Sequence, residues 1–121
     1  VDEDGLRRLA LAMPEAEEHD HFGRPSFRVR GKIFVSAVAD GAANLKLPAD
    51  EHAALVAERP DGFAEIVWGS LVRTRVQLAT VDEAELAELV DRAWREVAPK
   101  RLAAATPGPA TPPGPAVPPS R

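Results

Sequence analysis

Residues 26–39 read "SFRVRGKIFVSAVA", and their alternation decides the fold. Phe27 and Val29 alternate with Arg28 and Arg30, and Gly31 then leads into a nearly continuous apolar run, Ile33–Ala39. A period of two broken by a glycine is the pattern of a β-hairpin. Whether the two-residue loop is Arg30-Gly31 or Gly31-Lys32, Phe27, Val29 and Phe34 are expected on one face. Arg28 is expected on the other, with Ile33 and Val35. The second arm is apolar on both faces, which places it centrally in its sheet.

Outward from this hairpin the chain continues the same pattern. "NLKL" (44–47) is a short strand with Leu45 and Leu47 inward and Lys46 outward. Residues 63–67 and 72–79 read as two further strands around Gly69, with Val76 and Leu78 alternating with Arg73, Arg75 and Gln77. Three helices frame them. The first covers about residues 4–12, with Leu6, Leu9 and Ala10 on one side, and Pro14 stops it. A second spans about 49–59, between Pro48 and Pro60. The third opens with Asp82 and Glu85 in a capping-box-like start and carries an apolar stripe of Leu86, Leu89, Val90, Ala93, Trp94 and Val97. The strand connections are too short for parallel crossovers, so the expected fold is α+β, an antiparallel sheet with three helices, over residues 1–102. Residues 103–121 hold seven prolines in nineteen positions and few large apolar groups, the composition of a disordered tail. Its P-x-x-P spacings follow from that composition alone.

A chain of 121 residues, 45% of them hydrophobic, has room for one core. It contains no cysteine, which excludes disulfides, thiolate ligands and cysteine nucleophiles and fits a reducing interior. No apolar run is long enough to span a bilayer. The first residues are acidic rather than basic-then-apolar, so the expected location is the cytoplasm, with no membrane partner. The net charge is −4, yet it is segregated. Residues 1–20 place seven acids against Arg7 and Arg8, whereas residues 22–48 place Arg24, Arg28, Arg30, Lys32 and Lys46 against Asp40 alone.

The candidate chemistry is sparse. His19 and His21 flank Asp20 in an H-x-H pattern that can hold a metal from one face of a strand, but the spacing nominates no third ligand. The same two histidines lack a specified reacting partner as general bases. Ser26, Ser36 and Ser70 sit in no nucleophile elbow, and the isolated glycines form no phosphate-cradling loop. No catalytic residue, metal or cofactor is assigned, and the expectation is a protein that is not an enzyme. The cations carry more information. Arg28, Arg30, Lys32, Lys46, Arg73 and Arg75 belong to predicted strands or their ends, and Trp68 lies beside a turn between two of them. Together they are a candidate nucleic-acid-binding face, with arginine and lysine on phosphates and tryptophan available for stacking. Solvated strand residues and a tryptophan closing the end of a core would have the same pattern.

"LALAMPEAEEHDHFGRPSFRVRGKIF", followed by "LKLP" before a helix and "VWGSLVRTRVQL" before an acidic helix with a tryptophan, resembles the MmcQ/YjbR-like family of small bacterial proteins. The resemblance runs from about Leu6 to Leu102 and is most specific between Pro14 and Phe34. It implies a compact α+β fold with an antiparallel sheet, likened to double-wing DNA-binding domains, and brings no catalytic residue or cofactor. Many relatives carry Gly-Trp after the "WG" turn, where this chain has Val72-Arg73. DNA, through its phosphate backbone, is the expected partner. A protein-interaction domain, using the acidic helices and proline tail, is the alternative.

Overall fold

The structure, a computed structural model, describes residues 1–107. A six-stranded, wholly antiparallel sheet carries its helices on one face. The strands are β1 (Ala16–His21), β2 (Arg24–Val29), β3 (Lys32–Val38), β4 (Ala42–Leu45), β5 (Phe63–Trp68) and β6 (Leu71–Gln77). Their order across the sheet is β1-β2-β3-β4-β6-β5. Four α-helices accompany them among the described residues: α1 (Glu3–Leu11), α2 (Ala49–Glu58), α3 (Glu83–Val97) and α4 (Lys100–Ala105). A 3-10 turn, Leu78–Thr80, joins β6 to α3.

The β2–β3 hairpin closes through Arg30 and Gly31, both at positive φ (51° and 83°). Two such residues give the turn whose twist matches that of the flanking strands. One facial assignment differs. Phe27 pairs with Val35 and Arg28 with Ile33, so the register shifts by one residue and Phe34 is the extra residue of a β-bulge. Phe34 and Val35 are therefore both buried in the core, instead of on opposite faces. Strict alternation fails there because two consecutive residues oppose one.

Alternation holds elsewhere and divides the sheet cleanly. Phe27, Val35, Leu45, Ala43, Val76 and Phe63 follow one another across paired strands on one face. They form a single buried cluster with Leu6 and Ala10 of α1 and Leu86, Leu89, Val90, Ala93, Trp94 and Val97 of α3. The Asp82 carboxylate accepts from the Glu85 N–H (2.8 Å), as the capping pattern requires, and Asp2 does the same for Gly5. The fully buried Trp94 donates its indole N–H to the Pro14 carbonyl (2.9 Å), tying α3 to the end of α1.

Two elements depart from the sequence reading. β1, "AEEHDH", is an edge strand with both faces largely exposed, so it has no apolar alternation to reveal it. The second is α4. The expected boundary at Leu102 falls inside this helix, and Ala103 packs against the core. Arg95 donates to the carbonyls of Ala103 (2.8 Å) and Thr106 (2.7 Å), so residues 103–106 are fastened to the domain. The remainder of the expected tail, 108–121, lies outside the described residues. None of the helices among the described residues is long and apolar enough to cross a membrane.

Candidate nucleic-acid interface

The face of the sheet opposite the helices is built from the intervening residues. Its central row runs across all six strands as His19, Ser26, Ser36, Asn44, Arg75 and Ala64, each paired with the next. Toward one end of the sheet, Glu17 pairs with Arg28 and Arg28 with Ile33, while Arg73 pairs with Ile66. Trp68 and Leu71 close the β5–β6 hairpin, half exposed. Small polar residues thus form the middle of this face, and long cationic side chains stand to either side.

The arginines of this face are held by neutral groups. Arg75 Nε donates to Asn44 Oδ1 (3.0 Å), and Arg28 Nε donates to Ser26 Oγ (3.3 Å). Ser26 Oγ in turn donates to the His19 carbonyl (3.1 Å), so the row is braced across β1 and β2. Ser26 and Asn44 are buried although they lie on the face away from the helices, and each accepts from the arginine beside it. Arg73 donates Nη1 to the Val72 carbonyl (2.9 Å), and partial burial pushes its pKa below the ordinary arginine value. It stays charged at any physiological pH. Among the described residues, Arg28, Arg73 and Arg75 have no carboxylate within salt-bridge distance, and both terminal nitrogens of Arg28 and Arg75 lack a hydrogen-bond partner. An asparagine or a serine fixes a guanidinium without neutralising it. The terminal nitrogens are left aimed and charged, the requirement for fork-like recognition of a phosphate.

The predicted residues do not all meet there. Arg28, Arg73 and Arg75 share the open face, and alternation beyond Leu45 carries Lys46 to the same side. Trp68 lies at its β5 end. Arg30 does not belong to the group: it sits in the β2–β3 turn and pairs with Glu15 (3.0 Å), which raises its pKa and neutralises its field. Lys32 closes the same hairpin opposite Val29, on the helix side of the sheet. Arg24, which the sequence reading left out, pairs with His21 on the open face. Extending the alternation of β2 back by four residues from Arg28 would have found it. This face therefore carries Arg24, Arg28, Lys46, Arg73 and Arg75 against one carboxylate, Glu17, in a molecule whose net charge is −4.

His19 and His21 do project to one side, as H-x-H on a strand requires. His19 Nε2 lies 3.2 Å from Glu17 Oε1, and among the described residues no group of three His, Cys, Asp or Glu side chains is placed to hold a metal ion. His52 is the buried histidine. Its ring bridges Thr74 Oγ1 (2.5 Å) and Glu65 Oε2 (3.0 Å), joining α2 to β6 and β5 from the helix side.

The sequence model of one family, described as YjbR, matches residues 11–96, from the end of α1 to the last turn of α3. That span includes every residue of the open sheet face. No curated protein and no solved structure matches the chain.

Proposed function

This chain belongs to the YjbR family, and from that premise we propose that it is a non-catalytic domain that binds DNA weakly through the open face of its sheet. One observation carries the reading: Arg28 and Arg75 are oriented by Ser26 and Asn44 and keep their charge and terminal nitrogens for a ligand. Elsewhere, Arg7, Arg8, Arg30, Arg59, Arg92 and Arg95 are each paired with a carboxylate. A phosphate reaching Arg28, Arg73 or Arg75 displaces no internal acid. The contacts are to backbone phosphate and confer no sequence preference. The overall negative charge opposes approach, so affinity at physiological salt is expected to be micromolar or weaker.

Titration of a short duplex with the purified protein at several salt concentrations tests this. Each phosphate neutralised contributes about −0.9 to the slope of log K against log salt, so contacts from Arg28, Lys46, Arg73 and Arg75 give a slope of roughly −3 to −4. Absence of binding at low salt removes the reading. A salt-independent interaction would mean that the arginines of the open face do not contact phosphates.

A further inference from the structure

The two edges of the sheet are built differently. β1 carries Glu17, Glu18 and Asp20 along its six residues, so a second copy brought edge to edge there meets like charge. This is a common protection of a free edge. β5, "FAEIVW", has one charge, Glu65, and that carboxylate is engaged by His52. Val67 and Trp68 are 53% and 54% exposed, with Leu71 and Val72 beside them in the hairpin. On the helix side, α2 packs against β5 and β6 but buries only His52, leaving Ala49, Ala53, Ala54 and Ala57 exposed next to the same edge.

The backbone of β5 is ready for a further strand. Phe63 N–H turns away from β6 and donates to the Arg59 carbonyl (2.9 Å). Alternation along an antiparallel ladder then makes Ala64, Ile66 and Trp68 the residues that exchange bonds with β6, and it turns the N–H and C=O of Glu65 and Val67 outward. Among the described residues these outward groups have no backbone partner.

We propose that β5 pairs antiparallel with β5 of a second copy of this chain, forming a continuous sheet through a two-fold axis at Ile66. The outward groups of Glu65 and Val67 are paired in this register. Glu65 exchanges backbone bonds with Val67 of the second copy and Val67 with its Glu65, while the two Ile66 side chains meet on the axis. Ala64 then faces Trp68 of the second copy, small against large. A shift that centred the axis on Glu65 would oppose two carboxylates, which is destabilising. A strand-sized contact lies at the low end of specific interfaces, so the dimer is weak, with a dissociation constant on the order of 10–100 µM. Each copy keeps its open face on the same side of the joined sheet, and the dimer stands whether or not that face binds DNA.

The chain lacks cysteine, so a single introduced thiol reports on the axis. Residues opposite each other in a non-hydrogen-bonded pair have Cα atoms about 4.5 Å apart, within the span of a disulfide. Under mild oxidation, Ile66→Cys should give a disulfide-linked dimer at least tenfold faster than Phe22→Cys, which places a thiol at a far more exposed position of the β1–β2 turn. Adding Val67→Glu should abolish that advantage, because it sets a carboxylate opposite Glu65 of the second copy, and it changes an exposed side chain with little effect on folding, checked by circular dichroism. Wild-type protein at about 100 µM should sediment as a monomer–dimer mixture. Equal cross-linking at the two positions, or a strictly monomeric wild type at that concentration, overturns the proposal.

Discussion

Arg28 and Arg30 are two residues apart and carry the same charge, so a reading of sequence alone gives them the same role. The structure separates them. Arg28 stands on the open face, steadied by Ser26, whereas Arg30 occupies the turn and is already paired with Glu15. Replacing each in turn by glutamine removes one positive charge and keeps most of the stem. If the open face binds DNA as proposed, only Arg28→Gln removes a phosphate contact, and its slope of log K against log salt should be shallower by about 0.9. One contact contributes about 0.9 times the negative logarithm of the salt concentration, so near 0.1 M salt the affinity should fall by roughly tenfold. Arg30→Gln should leave the slope unchanged, because the charge it removes is offset locally by Glu15 and screened beyond about 10 Å. Fluorescence anisotropy with one labelled duplex at four salt concentrations measures both variants under identical conditions. Equal losses at the two positions would refute the assignment of the open face, since net charge alone would then govern binding.

Three further predictions concern the frame that holds this face. Trp94→Phe should cost about 1–3 kcal/mol in urea unfolding by leaving the half-buried Pro14 carbonyl without its donor. Trp94→Ala should cost about 3–5 kcal/mol, and a smaller loss would mean that α3 repacks. His52→Ala strands the buried Thr74 hydroxyl and should lower stability by about 1–3 kcal/mol, with an unchanged denaturation midpoint contradicting the clamp between α2 and the sheet. Truncation after Leu102 deletes both carbonyls that Arg95 donates to and should lower Tm by several degrees, from a loss of about 1 kcal/mol. A Tm unmoved by that truncation would show that α4 contributes nothing to the domain.

Much of this architecture is legible in the sequence because burial leaves a periodic trace. The stripe from Leu86 to Val97 on α3 and the alternation of Phe27 and Val29 with Arg28 are such traces, and both report core contacts correctly. β1 leaves none, since a strand exposed on both faces has no apolar period to show. The bulge at Phe34 is equally silent, because two adjacent apolar residues fit a bulged strand as well as a regular strand buried on both faces. Residues 100–105 escaped for a third reason: their helix rests on Arg95, eight and eleven residues from the carbonyls it binds, and no local propensity records that contact. For the candidate site, residue type identified the cations, but register decided among them. It kept Arg28, Lys46, Arg73 and Arg75, brought in Arg24, and removed Arg30 to an ion pair and Lys32 to the other side.

DNA bound to one face of the sheet leaves a residue-by-residue signature. In a two-dimensional nitrogen–proton NMR titration of labelled protein with a short duplex at low salt, a contiguous set of signals should shift. These are the backbone amides of Ser26, Arg28, Ser36, Asn44, Arg73 and Arg75 and the Trp68 indole, with α1 and α3 unmoved. Shifts centred on the helices, or no shifts with DNA in excess, would contradict it.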